Sequence, residues 1–315
     1  MTSPVVPLTR LRNRGVLQLA GRDTYDFLHA MTTCNAKALP RDTTALAYAA
    51  FLNAKGRMLY DAVLHPQPGA AEPTVLLEMD RTFIPEAIDH LKEYKLRKKV
   101  KFEDRSEHLA VVVGSSSSSI VSEADPRPPV ASLLGMKRGL LDVNAAATDA
   151  SDDTVAYRDA IFSIGVGDGA DVFSTGKSIP FDGNLDGLEG VSFHKGCYVG
   201  QELTHRTHIM LVVRKRLVPF ELVGGAGNDG VDVASLVGKS IDSSSNKVSC
   251  GRITAWGAKH GVGLFRLGNF VNQPEGTVFS IAGGDGKAPV EVRPRIPEWW
   301  PDEFMEKVRE EAAKQ

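Results

Sequence analysis

One cysteine lies in a sequence setting that could do chemistry. Cys197 is flanked by glycines and directly precedes a helix predicted over residues 198–208. The thiol is therefore expected at a helix N-terminus, where the helix dipole, together with Lys195 and His194, would lower its pKa. A thiolate in that position would serve as a nucleophile or as a soft metal ligand.

The nucleophile interpretation needs a base. His194 and His205 are the nearest histidines along the chain, and either could serve Cys197 in a cysteine hydrolase or acyltransferase. Spacing in the sequence does not decide this, because catalytic groups are assembled in space. The hydrolase therefore stays open as an alternative.

The other two cysteines, Cys34 and Cys250, are far from Cys197 and from each other. An odd and dispersed set predicts no disulfide framework and no CxxC pair, and it indicates a reducing compartment. An iron–sulfur cluster held by one chain uses four cysteine-type ligands, and a structural zinc site uses four Cys or His. Neither set is available here, so a cluster bound through Cys197 would need ligands from a partner.

The elements that must position Cys197 are predicted from hydrophobic periodicity. Before it we expect a strand over 16–20, a helix over 23–31, strands over 47–52, 58–65 and 74–79, a helix over 84–91, strands over 100–103 and 109–113, and a short helix over 157–164. This order favours an α+β unit with an antiparallel sheet. The serine run at 115–119 and the proline-rich stretch at 125–129 are expected to form a surface loop.

The pattern changes beyond Arg216. Short strands with glycine-rich turns are predicted over 217–223, 247–256, 261–267, 277–281 and 290–293. A succession of short strands and glycine-rich turns favours a small all-β barrel. The tail from Pro297 onwards, with Trp299 and Trp300, is expected to be a helix that is either docked or exposed.

The amino-acid composition excludes several classes of protein. The chain has 315 residues, 42% of them hydrophobic, and a net charge of −2, which is typical of a globular protein with about two domains. It has no apolar run of about 18 residues, so no membrane insertion is expected. The near-neutral charge makes nucleic acid an unlikely partner class. Residues 1–22 lack Asp and Glu, but the strand pattern predicts folded chain from about residue 8 and no leader in this sequence.

The run KGCYVGQE, residues 195–202, is a family signature. It resembles the signature of the folate-linked iron–sulfur cluster assembly factors, a branch of the glycine-cleavage T-protein (aminomethyltransferase) superfamily also called the YgfZ/GcvT family. Segments at 21–23, 31–33, 51–53, 56–57 and 184–186 fit the same pattern in the expected order. The resemblance covers about residues 8–295 and is closest to the mitochondrial branch.

The resemblance implies an architecture. It is an α+β fold, a three-lobed ring of the aminomethyltransferase type with a ferredoxin-like lobe and a C-terminal β-barrel. We expect a discontinuous folate-type domain at 8–56 plus 140–212, the ferredoxin-like lobe at 57–139, the barrel at 213–295 and a tail at 296–315.

The resemblance also implies a tetrahydrofolate pocket near the signature cysteine. Asp182 aligns with the family's pterin-binding glutamate, and a carboxylate accepts two parallel hydrogen bonds from a pterin amide and amine. Asp61 stands where the T-protein pattern carries a paired Asp-Asp, and it would be the catalytic carboxylate of a transferase. The remaining predicted cofactor contacts are Asn184, Lys195, Tyr198, Gln201, Glu202 and Arg206.

The function implied by the resemblance is maturation of [4Fe-4S] proteins. Cys197 would be a ligand of a [2Fe-2S] cluster shared with an A-type scaffold protein, in the mitochondrial matrix. We expect a monomer or a hetero-complex with that scaffold, and a maturation factor that is not an enzyme. The alternative is a folate-dependent one-carbon (aminomethyl) transferase in which Asp61 or Asp182 acts on the cofactor.

Overall fold

The computed structural model describes residues 5–39, 43–115, 120–152, 154–210, 213–223, 233–274, 277–282 and 289–312. The chain forms two compact units. The first contains Met1–Tyr157, Asp168–Pro180 and Leu188–Arg206, and the second contains Arg158–Gly167, Phe181–Gly187 and Thr207–Gln315. Every helix within the described ranges is too short or too polar to span a bilayer.

The first unit is built on antiparallel strands. In chain order these are β1 (Thr9–Arg10), β2 (Arg14–Ala20), β3 (Ala47–Leu52), β4 (Met58–Pro66), β5 (Thr74–Asp80), β6 (Lys101–Asp104), β7 (Leu109–Ser115), β8 (Glu123–Ala124) and β9 (Met136–Asp142). One sheet has the order β3-β4-β5-β2-β6, and the other has the order β1-β7-β9-β8. The predicted α+β class with an antiparallel sheet is confirmed.

Up to residue 210 the helices are α1 (Thr24–Met31), α2 (Ile84–Lys95), α3 (Pro128–Leu134), α4 (Val143–Asp149), α5 (Val155–Ser163) and α6 (Gln201–Met210). The first two, α1 and α2, pack on the five-stranded sheet. Phe27 and Leu28 of α1 and Ile84 and Leu91 of α2 join Leu77 of β5 in one buried apolar cluster. The periodically spaced apolar side chains of both helices therefore face the sheet, as predicted.

The proline-rich stretch at 125–129 is not a surface loop. Asp125 and Arg127 are buried, and α3 begins at Pro128. Proline is suited to the first turn of a helix, because its fixed φ matches and its missing N–H is not needed there. Apart from Ser115, which ends β7, the serine run lies outside the described residues.

The second unit contains a closed barrel. Its strands are β10 (Lys215–Leu222), β11 (Ser240–Ser243), β12 (Ser249–Trp256), β13 (His260–Arg266), β14 (Phe279–Ile281) and β15 (Val290–Pro294), in the order β10-β13-β12-β11-β14-β15. Pairing of β15 with β10 closes it. The predicted C-terminal barrel is confirmed, with β11 as an additional strand.

The C-terminal tail is docked. A short helix α7 (Leu267–Val271) follows β13, and the tail forms α8 (Asp302–Ala312). Trp300 and Met305 belong to the same buried cluster as Phe220 and Phe265 of the barrel. The indole N–H of Trp299 donates to the Ile164 carbonyl at 2.7 Å. The docked alternative for the tail is the one observed.

The strand pairing bears on the predicted domain limits. The limit at residues 56/57 falls between β3 and β4, which are an antiparallel pair in one sheet. The predicted limit therefore cuts a sheet rather than a linker. The division into three domains stays a prediction.

Candidate functional site

Cys197 lies on a loop of the first unit, residues 191–200, called here the cysteine loop. Helix α6 begins at Gln201, three residues later than predicted. Tyr198 is in neither a helix nor a strand, Val199 and Gly200 form a turn, and Gly200 has φ +78°. Cys197 is therefore four residues before the helix. The prediction that the helix begins directly after Cys197 is wrong.

The sequence predicts that Lys195 faces the Cys197 thiol. In the structure Lys195 binds the end of α1 instead. Its Nζ donates to the carbonyl oxygens of His29, Thr32 and Cys34 at 2.5, 2.6 and 2.7 Å. The last carbonyls of a helix have no intrahelical donor, and a lysine ammonium satisfies them. Burial lowers the pKa of Lys195 to about 8, so the amine remains an ammonium at neutral pH.

Backbone contacts hold the rest of the cysteine loop against the same helix end. The Val199 N–H donates to the Ala30 carbonyl at 3.0 Å, and the Ser192 N–H donates to the Thr33 carbonyl at 2.9 Å. Tyr198 is buried, with the Lys195 Nζ 4.6 Å from its ring centroid. Cys197 is thus the tip of a loop fixed on both sides.

The three cysteines differ in exposure. Cys197 is exposed, while Cys34 and Cys250 are buried. Burial raises the pKa of both buried thiols, which keeps them protonated and inert. Cys197 is therefore the cysteine that can reach a partner or a ligand.

The first turn of α6 supplies the remaining residues predicted in the signature. The Gln201 side-chain oxygen accepts from the Tyr198 N–H at 3.1 Å, which fixes the turn before the helix. Glu202 and Arg206 are exposed, four residues apart and hence on one side of α6. His205 is half-buried and His194 is exposed, and within the described residues neither makes a hydrogen bond to Cys197.

Asp182 and Asn184 belong to the second unit. Asp182 is half-buried in a short 3-10 turn, Pro180–Gly183. Asn184 is fully buried, and its amide donates to the Leu217 carbonyl at 2.8 Å and accepts from Arg216 at 3.3 Å. This differs from the predicted cofactor contact of Asn184, because an amide paired inside the fold has no exposed atom for a ligand.

Asp61 is also buried, at 1% exposure. Its carboxylate accepts from the Gly169 N–H at 3.0 Å and faces Arg14 Nη1 at 3.4 Å and the Tyr48 hydroxyl at 3.5 Å. Burial raises the pKa of Asp61, and the nearby Asp168 adds to the effect. In this structure Asp61 contacts the protein interior rather than a surface open to a substrate.

Asp61 belongs to a buried ionic network that the sequence patterns do not reveal. The network consists of Arg14, Arg127, Arg138, Asp61, Glu78, Asp125 and Asp168, together with Tyr157. Arg138 bonds Glu78, Asp125 and the Tyr157 hydroxyl. The network contains four carboxylates and three guanidiniums, and the His65 ring nitrogen lies 3.2 Å from Glu78. The sequence signal that could have indicated this network is a charged residue inside an apolar strand, such as Glu78 in β5.

Comparisons with known proteins agree with this structure. The chain is 34% identical over 95% of its length to "Iron-sulfur cluster assembly factor IBA57 homolog, mitochondrial" of Mycosarcoma maydis, covering 86% of that protein. It is 30% identical over 93% of its length to "Iron-sulfur cluster assembly factor IBA57, mitochondrial" of Mus musculus, covering 85% of that protein. The chain belongs to the IBA57 family.

Two further comparisons concern the fold. The CAF17 C-terminal β-barrel domain matches residues 214–302, which include the closed barrel. The structure is similar to the aminomethyltransferase T of the glycine cleavage system from Bartonella henselae, with a TM-score of 0.64, 13% identity, and coverage of 95% of this chain and 87% of that one. The predicted aminomethyltransferase-type fold is confirmed.

The donor chemistry can be tested against the two predicted cofactors. An exposed thiol such as that of Cys197 suits a soft metal cluster. Within the described ranges, no three His, Cys, Asp or Glu side chains come together as a metal site. For tetrahydrofolate, Asp61 and Asn184 are buried and paired, whereas Asp182 and Gln201 are half-buried and Glu202 is exposed.

Proposed function

We propose that this protein is a mitochondrial iron–sulfur cluster assembly factor in which Cys197 supplies one ligand to a [2Fe-2S] cluster shared with an A-type scaffold protein. The observation that carries the proposal is the contrast among the cysteines: one is exposed on a fixed loop, and two are buried. The names of the family relatives support the process and the organelle.

The fixed loop is what a shared ligand requires. A metal ligand on a mobile loop must be ordered when the complex forms, and that ordering weakens binding. Lys195 and the backbone bonds of Ser192 and Val199 supply the order beforehand. Cys197 is therefore presented to a partner at low entropic cost.

The ligand count supports a shared cluster. Such clusters are held by four cysteine-type ligands, and this chain offers one exposed cysteine. The partner supplies the others, so the cluster lies at the interface of a hetero-complex in the mitochondrial matrix. Transfer onward to [4Fe-4S] proteins is then a step of that complex.

Folate-dependent one-carbon transfer is the second candidate, and the similarity to an aminomethyltransferase favours it. The carboxylate that would act on the substrate, Asp61, is buried against Arg14 and Gly169. A general acid or base must reach the reacting atom. The burial of Asp61 therefore supports cluster assembly over transferase activity, and Asp182 and Glu202 are the remaining predicted carboxylates for a folate contact.

The test is anaerobic mixing of the protein with a [2Fe-2S]-loaded A-type scaffold, followed by size exclusion and visible absorption. Wild type is expected to give a cluster-bearing hetero-complex, and Cys197→Ser is expected to lose it. Cys250→Ala removes a buried thiol and serves as the matched control, which should retain the complex. An unchanged cluster-bearing complex with Cys197→Ser would overturn the proposal. Tight tetrahydrofolate binding without any complex would favour the transferase.

A further inference from the structure

The barrel carries a basic cleft on its outer surface. The cleft has a volume of about 370 Å³, and its polar lining consists of Lys215, Arg252, Arg266, Ser240 and Ser249. Gly238, Gly251 and Leu264 complete the wall. These residues belong to the second unit and have no part in the function proposed for Cys197.

The three cations come from consecutive strands. Lys215 of β10 and Arg266 of β13 are direct cross-strand partners. Arg252 of β12 is on the neighbouring strand, opposite Ser240 of β11. The strands run side by side in the order β10-β13-β12-β11, so donors from four adjacent strands surround one space. Neighbouring strands are about 4.8 Å apart, which places such donors within reach of one small ligand.

Like charges directly opposite each other weaken a sheet. Lys215 and Arg266 form such a pair, and none of the three cations has an ion-pair partner within the described residues. Elsewhere on the barrel, Arg293 pairs with Glu221. An unfavourable arrangement of this kind is stabilised when an anion binds between the charges.

The hydroxyls at the cleft add a polar edge. The Ser240 and Ser249 oxygens are 2.8 Å apart, and Ser240 donates to the Asp242 carboxylate. Asp242 thus brings one negative charge near the cleft, against three positive charges. The surplus charge favours an anion that carries more than one negative charge.

We propose that this cleft binds a phosphate group. Guanidiniums bind phosphate through paired N–H donors, and a lysine ammonium adds a point charge. A tetrahedral phosphate has several oxygens for donors that approach from different strands, whereas a carboxylate has two oxygens in one plane. The same chemistry is offered by a free phosphate, a soluble phosphate ester or a phosphomonoester lipid headgroup.

The test is an NMR titration of the full chain with inorganic phosphate at constant ionic strength, following the amide signals of Gly238 and Gly251. We expect saturable shifts at these glycines in wild type. Arg252→Gln and Arg266→Gln should each weaken binding at least about tenfold, because each removes a charged donor. Lys259→Gln removes an exposed charge elsewhere on the barrel and should bind as wild type does.

Three outcomes would overturn the proposal: no saturable shift, equal loss in Lys259→Gln and Arg266→Gln, or equal shifts when sodium chloride replaces phosphate. The spectrum of each variant without phosphate, compared with that of wild type, checks that the variant is folded. Co-sedimentation with phosphatidylcholine vesicles with and without phosphatidate then identifies the source. Binding to the phosphatidate vesicles assigns a lipid headgroup, and binding of soluble phosphate alone assigns a soluble phosphate compound.

Discussion

Lys195 joins the cysteine loop to the end of α1 through three charge-assisted hydrogen bonds. Lys195→Met keeps the length of the side chain and removes the donors, leaving three carbonyls without their partner. We expect the free energy of unfolding to fall by about 2 kcal/mol and the cluster-bearing complex to be weakened, although Cys197 is intact. Urea denaturation and anaerobic size exclusion measure the two effects.

Lys177→Met is the matched control, because Lys177 is exposed in the same unit. A surface change of this kind is expected to stay within about 0.5 kcal/mol of wild type. If the two variants had equal stability, the Lys195 contacts would have no part in fixing the loop.

The buried network allows two carboxylates to be compared. Burial opposes ionisation of Glu78, but Arg138 and Arg14 outweigh it and lower its pKa, whereas the pKa of Asp61 is raised. Asp61→Asn is expected to cost about 1 kcal/mol or less, because burial and the Asp168 charge already disfavour the ionised form of Asp61. Glu78→Gln removes the negative charge that faces the buried guanidiniums of Arg14 and Arg138, and it is expected to cost about 3 kcal/mol. Equal losses in urea denaturation would contradict this difference between the two carboxylates.

At the scale of the elements, the turn before α6 depends on Gly200. Its φ is +78°, and an added Cβ would be 2.5 Å from the Asn53 carbonyl oxygen. Gly176 has a φ of +71°, with no atom within 4 Å of the same added Cβ. Gly176→Ala is expected to cost about 1 kcal/mol from the backbone alone.

Gly200→Ala adds the steric clash to that backbone cost, for about 2–3 kcal/mol in total. The turn must shift to relieve the contact, so the reaction rate of Cys197 with a thiol reagent is expected to change as well. Both variants are measured by urea denaturation and by alkylation of the free protein. An unchanged alkylation rate in Gly200→Ala would show that the turn does not position the thiol.

The elements show why the sequence predictions succeed in some places and fail in others. Strand β3 is predicted at its observed bounds, because an apolar run ends at the turn after Asn53. Strand β11 is missed because Ser240–Ser243 has a single buried apolar side chain, Ile241. It is a strand because the barrel provides pairing partners on both sides, which no local pattern contains.

At the scale of the whole molecule, one carboxylate that joins distant segments of the chain contributes to acid stability. Asp159 of α5 accepts from the His260 N–H at 2.8 Å and faces the His260 ring nitrogen at 2.9 Å. Burial opposes ionisation of Asp159, but these His260 contacts and the Lys259 N–H outweigh it and lower its pKa to about 2. The carboxylate therefore stabilises the fold above about pH 4, its unfolded pKa, and this contribution is lost as the pH falls towards 2.

Between pH 5 and pH 2, wild type is expected to lose about 1 kcal/mol more than Asp159→Asn, once solvent screening at this half-buried site is allowed for. Urea denaturation at a series of pH values measures the difference. Parallel curves for the two proteins would show that Asp159 makes no contribution of this kind.

The candidate site was predictable where the information is local. The neighbours of Cys197 in the sequence single it out as the candidate functional cysteine, and its exposure agrees with that prediction. The position of Lys195 against His29 was not predictable, because that contact joins residues 166 positions apart. The bond between Glu78 and Arg138 likewise spans 60 positions. Such pairs are fixed by the tertiary fold, and no local pattern in a single sequence predicts them.

The closure of the barrel gives its last strand a protective role. Strand β15 pairs with both β10 and β14, so it covers one edge of each. A chain that ended before Val290 would leave the backbone N–H and C=O groups along those two edges without partners. Such edges recruit strands from other molecules, and aggregation would follow. A premature stop within β15 would therefore remove far more than a tail, because the strand is completed only at Pro294.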